Sequence, residues 1–385
     1  MPRDPAFQRE RSLVCVLGMR GIPGVMGGVE SHCEELLPRL AQRAPWLDLV
    51  AIGRKPYIGS EESSFRGVRV VPLWSPTRRS IETLVSSFLG VLHGRRIGAK
   101  AVHIHAVASG LMAPLARLLG MKVILTIHGA DYRRAKWGRL ARAILRVGER
   151  FGVNHADAVI CVAPSLTKQL QQAYPHRADR IAFVPNGSPP LQAEGDEGQL
   201  LEKFGLEKGK FLLAVGRLEP GKGFELLIDA HRKSGDTRKL VIVGGAHHEA
   251  DYAAQLKRSA SEQVIFPGMQ PREVLAHLYR AAALFVLPSL HEGLPICALE
   301  AGSVGCPLLL SDIPGNRDLG LLSAHYFTSG DVESLIRALQ GPAASYAVTP
   351  DMFSTFDWER IAASTLAIYD AVTGEAAKRP AYAAA

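Results

Sequence analysis

One segment in the second half of the chain combines charged residues with a glycine-rich turn in a way that suits a phosphorylated ligand. Residues 215–224 read VGRLEPGKGF, so Arg217 and Lys222 lie in a loop with three glycines, after an apolar run and before a helical pattern. Arginine offers a planar fork of donors and lysine a compact charge, which together suit a diphosphate. The alternative is a surface loop with two solvated cations. The position after a strand favours the binding interpretation.

A second segment, residues 287–301 (LPSLHEGLPICALEA), holds Glu292 and Glu300. On an ideal helix this spacing corresponds to about 12 Å along the axis and about 80° around it, so the two carboxylates would not form an acid–base pair. Because proline suits the first helical position, we expect the helix to begin at Pro295, with Glu292 in the preceding loop. Glu300 on this apolar helix would need hydroxyls or a cation as partners, and ribose hydroxyls would serve. An exposed acidic helix position is the alternative.

A third candidate is the glycine-rich stretch GMRGIPGVMGGVE at residues 18–30. Gly27 and Gly28 permit close backbone approach to a ligand, and the N–H groups of the helix that follows would face the same place. The glycine spacing does not match G-x-G-x-x-G, which disfavours a NAD-dependent enzyme. A structural turn remains the alternative.

Short β-branched runs alternate with helical patterns in both halves of the chain, which predicts parallel sheets covered by helices on both faces. Residues 185–200, rich in Gly, Pro, Ser and acidic residues, indicate a linker. We therefore predict an α/β protein of two Rossmann-like, doubly wound domains, residues 1–190 and 191–357. An amphipathic helix is expected at 358–372, packed back on the first domain.

Composition limits the class of protein. The five scattered cysteines form no C-x-x-C pair, which indicates reduced, buried thiols rather than disulfides or a zinc site. The first twelve residues are polar, and no stretch approaches the roughly 18 apolar residues of a membrane span. We therefore expect a soluble, cytoplasmic chain.

Basic residues concentrate in the first half. Residues 1–190 hold 27 Lys and Arg against 13 Asp and Glu, whereas the remainder hold 18 against 24. Between residues 133 and 150, the basic residues follow helical spacing, which predicts either an interfacial helix on an anionic membrane or a solvated basic face. Nucleic-acid binding is disfavoured because no recognition motif accompanies the charge. The basic residues of this segment are Arg133, Arg134, Lys136, Arg139, Arg142, Arg146 and Arg150.

Five segments in consistent order resemble the retaining glycosyltransferases of family 4, which share the GT-B fold of two Rossmann-like domains with an interdomain cleft. The resemblance covers about residues 13–372, and the flanks of the first two segments resemble the branch of rhamnosyltransferases and capsular or exopolysaccharide enzymes. The segments are GGVE (27–30), TIHGAD (126–131), VPNG (184–187), GRLEPGKGF (216–224) and HEGLPICALEA (291–301).

The resemblance implies a role for each matching residue. Arg217 and Lys222 would hold the donor diphosphate and stabilise the leaving group, Glu300 would bind the ribose, and Glu292 would lie beside the transferred sugar. His128 would contact the sugar near the reacting carbon, although its residue type alone also fits an ordinary histidine at a strand end. The other donor-binding positions implied are the backbone groups of Gly27, Gly28, Gly293, Leu294 and Pro295.

The implied reaction moves a hexosyl unit from a UDP-, dTDP- or GDP-sugar to a glycan or polyprenyl-diphosphate-linked acceptor, in bacterial surface polysaccharide synthesis. Retention of configuration comes from the resemblance alone. The sequence contains no D-x-D carboxylate pair, so we expect neither a metal nor another cofactor. Many relatives carry a P-E segment where residues 311–318 read SDIPGNRD, and Asp318 is the candidate replacement for that Glu. A sugar-nucleotide epimerase and a non-catalytic glycan-binding scaffold are the alternatives.

Overall fold

The computed structural model describes residues 11–130, 138–188, 191–246 and 249–374. These residues form two compact units. Unit 1 comprises the described residues up to Asn186 together with those from Trp358 onward, and unit 2 comprises those of Gly187–Asp357.

Strands and helices alternate along both units. The strands are β1 (Ser12–Leu17), β2 (Leu47–Arg54), β3 (Ser63–Phe65), β4 (Val68–Leu73), β5 (Ala101–His105), β6 (Lys122–Ile127), β7 (Ala158–Cys161), β8 (Ile181–Phe183), β9 (Phe211–Val215), β10 (Lys239–Val243), β11 (Val264–Gly268), β12 (Leu284–Leu287), β13 (Leu308–Ser311) and β14 (Tyr326–Phe327). The α-helices are α1 (Gly28–Arg43), α2 (Lys55–Ile58), α3 (Arg79–Arg96), α4 (Ala113–Leu118), α5 (Arg139–His155), α6 (Pro164–Ala173), α7 (Glu197–Lys203), α8 (Phe224–Ser234), α9 (Ala250–Ser259), α10 (Arg272–Ala281), α11 (Ile296–Ser303), α12 (Pro314–Arg317), α13 (Val332–Leu339) and α14 (Trp358–Thr373).

Unit 1 is built on an eight-stranded sheet of order β3-β4-β2-β1-β5-β6-β7-β8. Every pairing is parallel except β3 with β4. The central strand β1 pairs on both sides, with Cys15 opposite Val50 of β2 and Val102 of β5. Its apolar residues are buried on both faces, as expected for a parallel sheet covered by helices.

Unit 2 contains a six-stranded, all-parallel sheet of order β11-β10-β9-β12-β13-β14. Its central strand β9 pairs with β10 on one side and β12 on the other, so Leu213 lies opposite both Val241 and Phe285. In each sheet, the direction in which strands are added reverses at the central strand. Such a reversal opens a crevice at the carboxyl ends of the strands, where ligands of this class of sheet bind.

The predicted fold class is confirmed: both units are parallel-sheet, Rossmann-like domains. The structure also places α14 in unit 1, where Trp358, Ile361 and Tyr369 belong to the same buried apolar cluster as α1. In the described part of the chain, no helix is both long and apolar enough to span a membrane.

Several boundaries differ from the sequence-based expectation. Pro295 is the N-cap of α11 rather than its first helical residue, because its ψ of 109° is extended while its carbonyl accepts the first helical bonds from Ala298 and Leu299. The predicted linker contains the start of α7, because the Asp196 side chain caps that helix by accepting from the Gln199 N–H. An acidic residue that indicated a flexible segment is therefore a helix cap.

Candidate functional site

In unit 2, the loops that follow β9 and β12 meet at the point where strand order reverses. The Leu290 N–H donates to the Gly221 carbonyl across 3.0 Å. Gly223 has a φ of +67°, and a Cβ there would lie 2.3 Å from the Pro288 carbonyl oxygen. Glycine at this position is therefore what permits the two loops to touch.

This contact brings Lys222 and Glu292 together. The Lys222 Nζ lies 2.5 Å from Glu292 Oε1, and the side chains are only 15 % and 10 % exposed. The Ser289 hydroxyl donates to the same carboxylate oxygen across 2.6 Å. A lysine ammonium has three donors, so an ion pair with one carboxylate oxygen leaves donors for a ligand. The pair combines a fixed positive charge with a positioned carboxylate at the ligand-binding edge of the sheet.

Glu300 lies inside α11 with its carboxylate buried. Burial raises its pKa, while the charge of Arg272 and a hydrogen bond from the Tyr279 hydroxyl, 2.9 Å from Oε2, act in the opposite direction. Burial also raises the pKa of the neighbouring Cys297 thiol to about 12, and the charges of Lys222, Glu292 and Glu300 all act on that thiol.

Arg217 opens the loop after β9, and its guanidinium pairs with Glu219 of the same loop across 3.0 Å. The backbone of this loop packs tightly against the end of β10: a Cβ on Gly244 would lie 1.8 Å from the Gly216 carbonyl oxygen. Because that contact and the Glu219 pairing hold the loop, Arg217 occupies a defined position at the carboxyl edge of the sheet. Its side chain is 29 % exposed and open to a ligand.

The loop of Glu292, Gly293, Leu294 and Pro295 leads into the N-terminus of α11, where backbone N–H groups can donate to an anion. The turn of α12 packs on this loop, since a Cβ on Gly315 would lie 2.1 Å from the Gly293 carbonyl oxygen. The sequence analysis did not predict this contact between α12 and the Glu292 loop. Asp318, which the sequence offered as a substitute for a glutamate, is the C-cap of α12.

In unit 1, the glycine-rich loop is tied down by an ion pair. Glu30 accepts from the Arg20 backbone N–H and from its guanidinium, each across 3.0 Å. Burial alone would raise the pKa of Glu30, but Arg20 outweighs burial and lowers it. A Cβ on Gly27 would clash with this pair, whereas Gly28 faces open space. Glu30 thus fixes the glycine-rich loop to α1.

His128 follows β6 and belongs to a group of imidazoles at the carboxyl edge of the sheet. Its Nε2 lies 3.0 Å from Nδ1 of His105, and its ring is 4.8 Å from that of His32. The Nδ1 of His32 lies 3.0 Å from the Asn186 side-chain oxygen, and burial lowers the pKa of both His32 and His128 to about 3. These histidines are therefore neutral at physiological pH, so His128 would act on a ligand through hydrogen bonds rather than charge.

Three of these histidines could hold a metal ion, since ligand atoms of His32, His105 and His128 lie within 4.8 Å of one another. Zinc bonds imidazole nitrogens at about 2.1 Å in tetrahedral sites, which places the nitrogens about 3.4 Å apart. To bind one zinc ion, the ligand nitrogens that lie farthest apart would have to move closer together. The nitrogens of His105 and His128 are already 3.0 Å apart, the spacing of a hydrogen bond.

The basic segment is only partly described, because Arg133, Arg134 and Lys136 lie outside the described residues. On α5, the side chains of Arg139 and Arg150 are exposed. The large apolar residues Leu140, Val147 and Phe151 on this helix are 77 %, 43 % and 41 % exposed. Arginines and apolar side chains therefore share the solvent-facing side of one helix.

Sequence reasoning missed three residues that hold the predicted ones in place: Ser289, Tyr279 and His105. Tyr279 of α10 bonds Glu300, and His105 of β5 bonds His128. Ser289 bonds Glu292 within the loop after β12. A serine three residues before Glu292 was the only local signal; Tyr279 and Glu300 meet only once α10 and α11 have packed.

Comparison with known proteins identifies the families that the two units resemble. Residues 26–190 match the family described as Glycosyltransferase Family 4, and residues 197–339 match the family described as Glycosyl transferases group 1. The chain is 28 % identical over 390 residues to alpha-maltose-1-phosphate synthase of Mycolicibacterium smegmatis, covering 91 % of this chain and 97 % of that one.

Two further proteins are similar. The UDP-Gal:alpha-D-GlcNAc-diphosphoundecaprenol alpha-1,3-galactosyltransferase of Escherichia coli is 27 % identical over 257 residues, which cover 62 % of this chain and 65 % of that one. Sucrose-phosphate synthase from Thermosynechococcus elongatus has the same fold, with a TM-score of 0.79 at 20 % identity over 94 % of this chain and 100 % of that one.

Two consecutive family matches, one in each unit, and the two Rossmann-like sheets define a glycosyltransferase of the GT-B type. The chain is similar in its first unit to Glycosyltransferase Family 4 and in its second unit to Glycosyl transferases group 1.

Proposed function

We propose that this glycosyltransferase takes a nucleotide-diphosphate sugar as donor and binds its diphosphate at the carboxyl ends of β9 and β12. The observation that carries this proposal is the Lys222–Glu292 ion pair at the switch point of unit 2. Lys222, Arg217 and the amides that begin α11 gather donors at one edge of the sheet, which is what a diphosphate requires.

Glu300 would bind the ribose. Its carboxylate is buried, and a buried carboxylate is stable only with hydrogen-bond donors around it. Tyr279 supplies one donor, and two vicinal ribose hydroxyls would supply others. Glu292 would accept hydrogen bonds from hydroxyls of the transferred sugar, with Gly293, Leu294 and Pro295 beside it. Gly27, Gly28 and His128 retain the roles implied by the family resemblance.

The chemical step follows from where charge develops. Breaking the bond between the anomeric carbon and the diphosphate oxygen moves the bonding electrons onto the diphosphate and leaves positive charge on the sugar ring. Lys222 and Arg217 would stabilise the growing negative charge, an electrostatic contribution of about 3–4 kcal/mol for one well-placed donor. We propose retention of configuration: the acceptor hydroxyl oxygen bonds to the anomeric carbon on the departing face and gives its proton to the leaving diphosphate oxygen. We also propose no requirement for a metal ion or another cofactor.

The proposed acceptor is a glycan or a polyprenyl-diphosphate-linked glycan in bacterial surface polysaccharide synthesis. The similar Escherichia coli protein acts, by its name, on a diphosphoundecaprenol-linked sugar. The exposed arginines and apolar residues of α5 fit the head-group region of an anionic bilayer. We propose that the enzyme works in the cytoplasm at the inner membrane face, held peripherally by this helix.

Isothermal titration calorimetry tests the donor proposal. UDP-glucose, dTDP-rhamnose and GDP-mannose are titrated in EDTA, with NAD as a comparison, and binding of at least one nucleotide sugar is expected. Binding of NAD alone would contradict the proposal. The nucleotide sugar that binds is then incubated with the enzyme and its products are analysed. A 2-epimer of the sugar without any transferred sugar would favour the epimerase, and binding without any product would favour the scaffold.

Replacing the lysine tests the role of the ion pair. Lys222→Ala is expected to lower turnover of the bound nucleotide sugar by at least ~10²-fold, the effect of losing one oxyanion-type donor. Lys208→Ala is the matched control, because Lys208 is exposed and pairs with Glu197 in the same unit. Equal turnover in the two variants would remove Lys222 from the mechanism.

A further inference from the structure

Glu292 is held by more than its ion pair. In the described part of the chain, both hydrogen bonds of its carboxylate reach the same oxygen, Oε1: one from Lys222 Nζ at 2.5 Å and one from Ser289 Oγ at 2.6 Å. Two donors on one oxygen fix the plane of the carboxylate. They leave the acceptor capacity of Oε2 for a ligand hydroxyl.

Behind Ser289 lies a second layer of hydrogen bonds. The Ser311 hydroxyl donates to the Ser289 carbonyl across 2.5 Å, and the Asn316 side-chain amide donates to the Ser311 hydroxyl and carbonyl across 3.0 and 2.8 Å. Ser289, Ser311 and Asn316 have no solvent exposure at all. Three segments, after β12, at the end of β13 and in α12, are thus locked together by buried polar side chains.

Burial restricts the conformations that these serine side chains can adopt. Hydrogen bonds in a low-dielectric interior are strong when satisfied and costly when broken, so the serines have little freedom to rotate. An apolar residue in place of Ser289 could fill the same volume, yet it could not direct the carboxylate. Among the described residues, the charged members of this network are Glu292 and Lys222, and the other members are neutral side chains.

We propose that Ser289 is a positioning residue, which, backed by Ser311 and Asn316, holds the Glu292 carboxylate against Lys222 in the orientation that the transfer step requires. This inference rests on the proposed function of the Lys222–Glu292 pair. It also assigns a task to residues 311–318: through Asn316 and the close contact of Gly315, this turn supports the Glu292 loop from behind.

A kinetic double-mutant cycle tests the proposal, with release of nucleotide diphosphate from UDP-glucose, GDP-mannose and dTDP-rhamnose as the assay. Ser289→Ala is expected to lower kcat by about 10- to 100-fold, the scale of misplacing a reacting group, with KM nearly unchanged. In a Glu292→Gln background the same change should cost less than about twofold, because residues that act as a unit are not additive. Ser289→Cys, with a weak donor, should fall between serine and alanine.

The control is Ser303→Ala, which deletes the hydroxyl of a half-buried serine that is bonded to the Glu300 carbonyl within α11. Its kcat should equal that of the wild type. An unchanged kcat in Ser289→Ala, or an equal loss in both backgrounds, would overturn the positioning role. If Lys222→Ala is active, the proposed function itself has failed. If Lys222→Ala is inactive while Ser289→Ala is normal, only this inference has failed.

Discussion

At the scale of single residues, the arrangement at the end of β12 pairs each acidic side chain with a donor from elsewhere in the fold. Glu292 meets Lys222 and Glu300 meets Tyr279. The two carboxylates differ in environment: Glu292 lies beside a cation, whereas burial raises the pKa of Glu300. The proposed function gives these two carboxylates different tasks, one beside a diphosphate and one with neutral hydroxyls.

Tyr279→Phe tests the second of these pairs. The change leaves a buried carboxylate without its hydroxyl donor, so the free energy of opening α11 should fall by about 1–3 kcal/mol. Hydrogen–deuterium exchange of α11 backbone amides, followed by mass spectrometry, measures this loss. Tyr346→Phe is the control: its hydroxyl donates to the Ala338 carbonyl, and α11 should exchange as in the wild type. Unchanged exchange in Tyr279→Phe would show that Glu300 does not depend on this hydrogen bond.

Residue type and local spacing were enough to select Lys222, Glu292 and Glu300, but not to show how they are held. Lys222 and Glu292 are 70 positions apart in sequence, and their contact exists because β9 and β12 are neighbours in the sheet. The supporting residues Ser289 and Tyr279 have side chains that are common in any core. Nothing in one sequence distinguishes them from ordinary packing until the hydrogen bonds are seen.

At the scale of elements, the glycines of the loop after β9 are not equivalent. Gly223 combines a φ of +67° with the close approach of the Pro288 carbonyl, whereas Gly221 has open space around the position of a Cβ. The sequence showed three glycines in this loop but not which of them the structure requires. The ranking depends on a strand that comes more than sixty residues later.

Gly223→Ala is therefore expected to disrupt the loop after β9, and Gly221→Ala is its matched control. An alanine at 223 would carry left-handed backbone strain of about 1–3 kcal/mol in addition to the steric clash. Thermal unfolding should show a clearly lower Tm for Gly223→Ala only, and calorimetry should show weaker binding of the nucleotide sugar. Equal Tm values for the two variants would mean that the loops do not approach as the structure shows.

Helix α5 makes a second prediction at this scale. Arg139→Glu/Arg150→Glu should weaken binding to vesicles of phosphatidylglycerol and phosphatidylcholine by at least about tenfold, since each basic residue near an anionic surface contributes about 1 kcal/mol. Co-sedimentation measures the bound fraction. Lys257→Glu/Arg258→Glu on α9 changes the net charge equally at another exposed site. If both double variants bind alike, or if the wild type binds neutral vesicles equally well, the membrane role of α5 is wrong.

At the scale of the whole molecule, the alternation of strands and helices was sufficient to predict two doubly wound units. Strands such as β1 and β9 coincide with short apolar runs, SLVCVL and FLLAV. The sequence did not show which helices would carry buried polar groups. The sequence gives no sign that His32 of α1 lies near His103 and His105 of β5. The fold brings the three tilted rings together in the interior of unit 1, where His103 is hydrogen-bonded to Tyr369 of α14.

Their burial has a consequence for stability. Burial lowers the pKa of His32 and His103 to about 3, and that of His105 well below its ordinary value. In the unfolded chain each imidazole titrates near 6.5, so below that pH the unfolded state binds more protons than the folded state. The free energy of unfolding must then fall as pH falls from 6.5 towards the folded-state values, by about 1.4 kcal/mol per pH unit for each histidine.

We therefore expect unit 1 to lose several kcal/mol of stability between pH 7 and pH 5.5, well above the range where ordinary carboxyls titrate. Tryptophan fluorescence isolates this unit, because Trp46, Trp74 and Trp358 belong to it and residues 187–357 contain no tryptophan. Urea titrations at several pH values give the slope of the free energy of unfolding against pH. His103→Gln should reduce that slope by roughly the contribution of one histidine. A flat profile from pH 7 to 5.5 would show that these imidazoles are solvated, and that the interior of unit 1 is not packed around them.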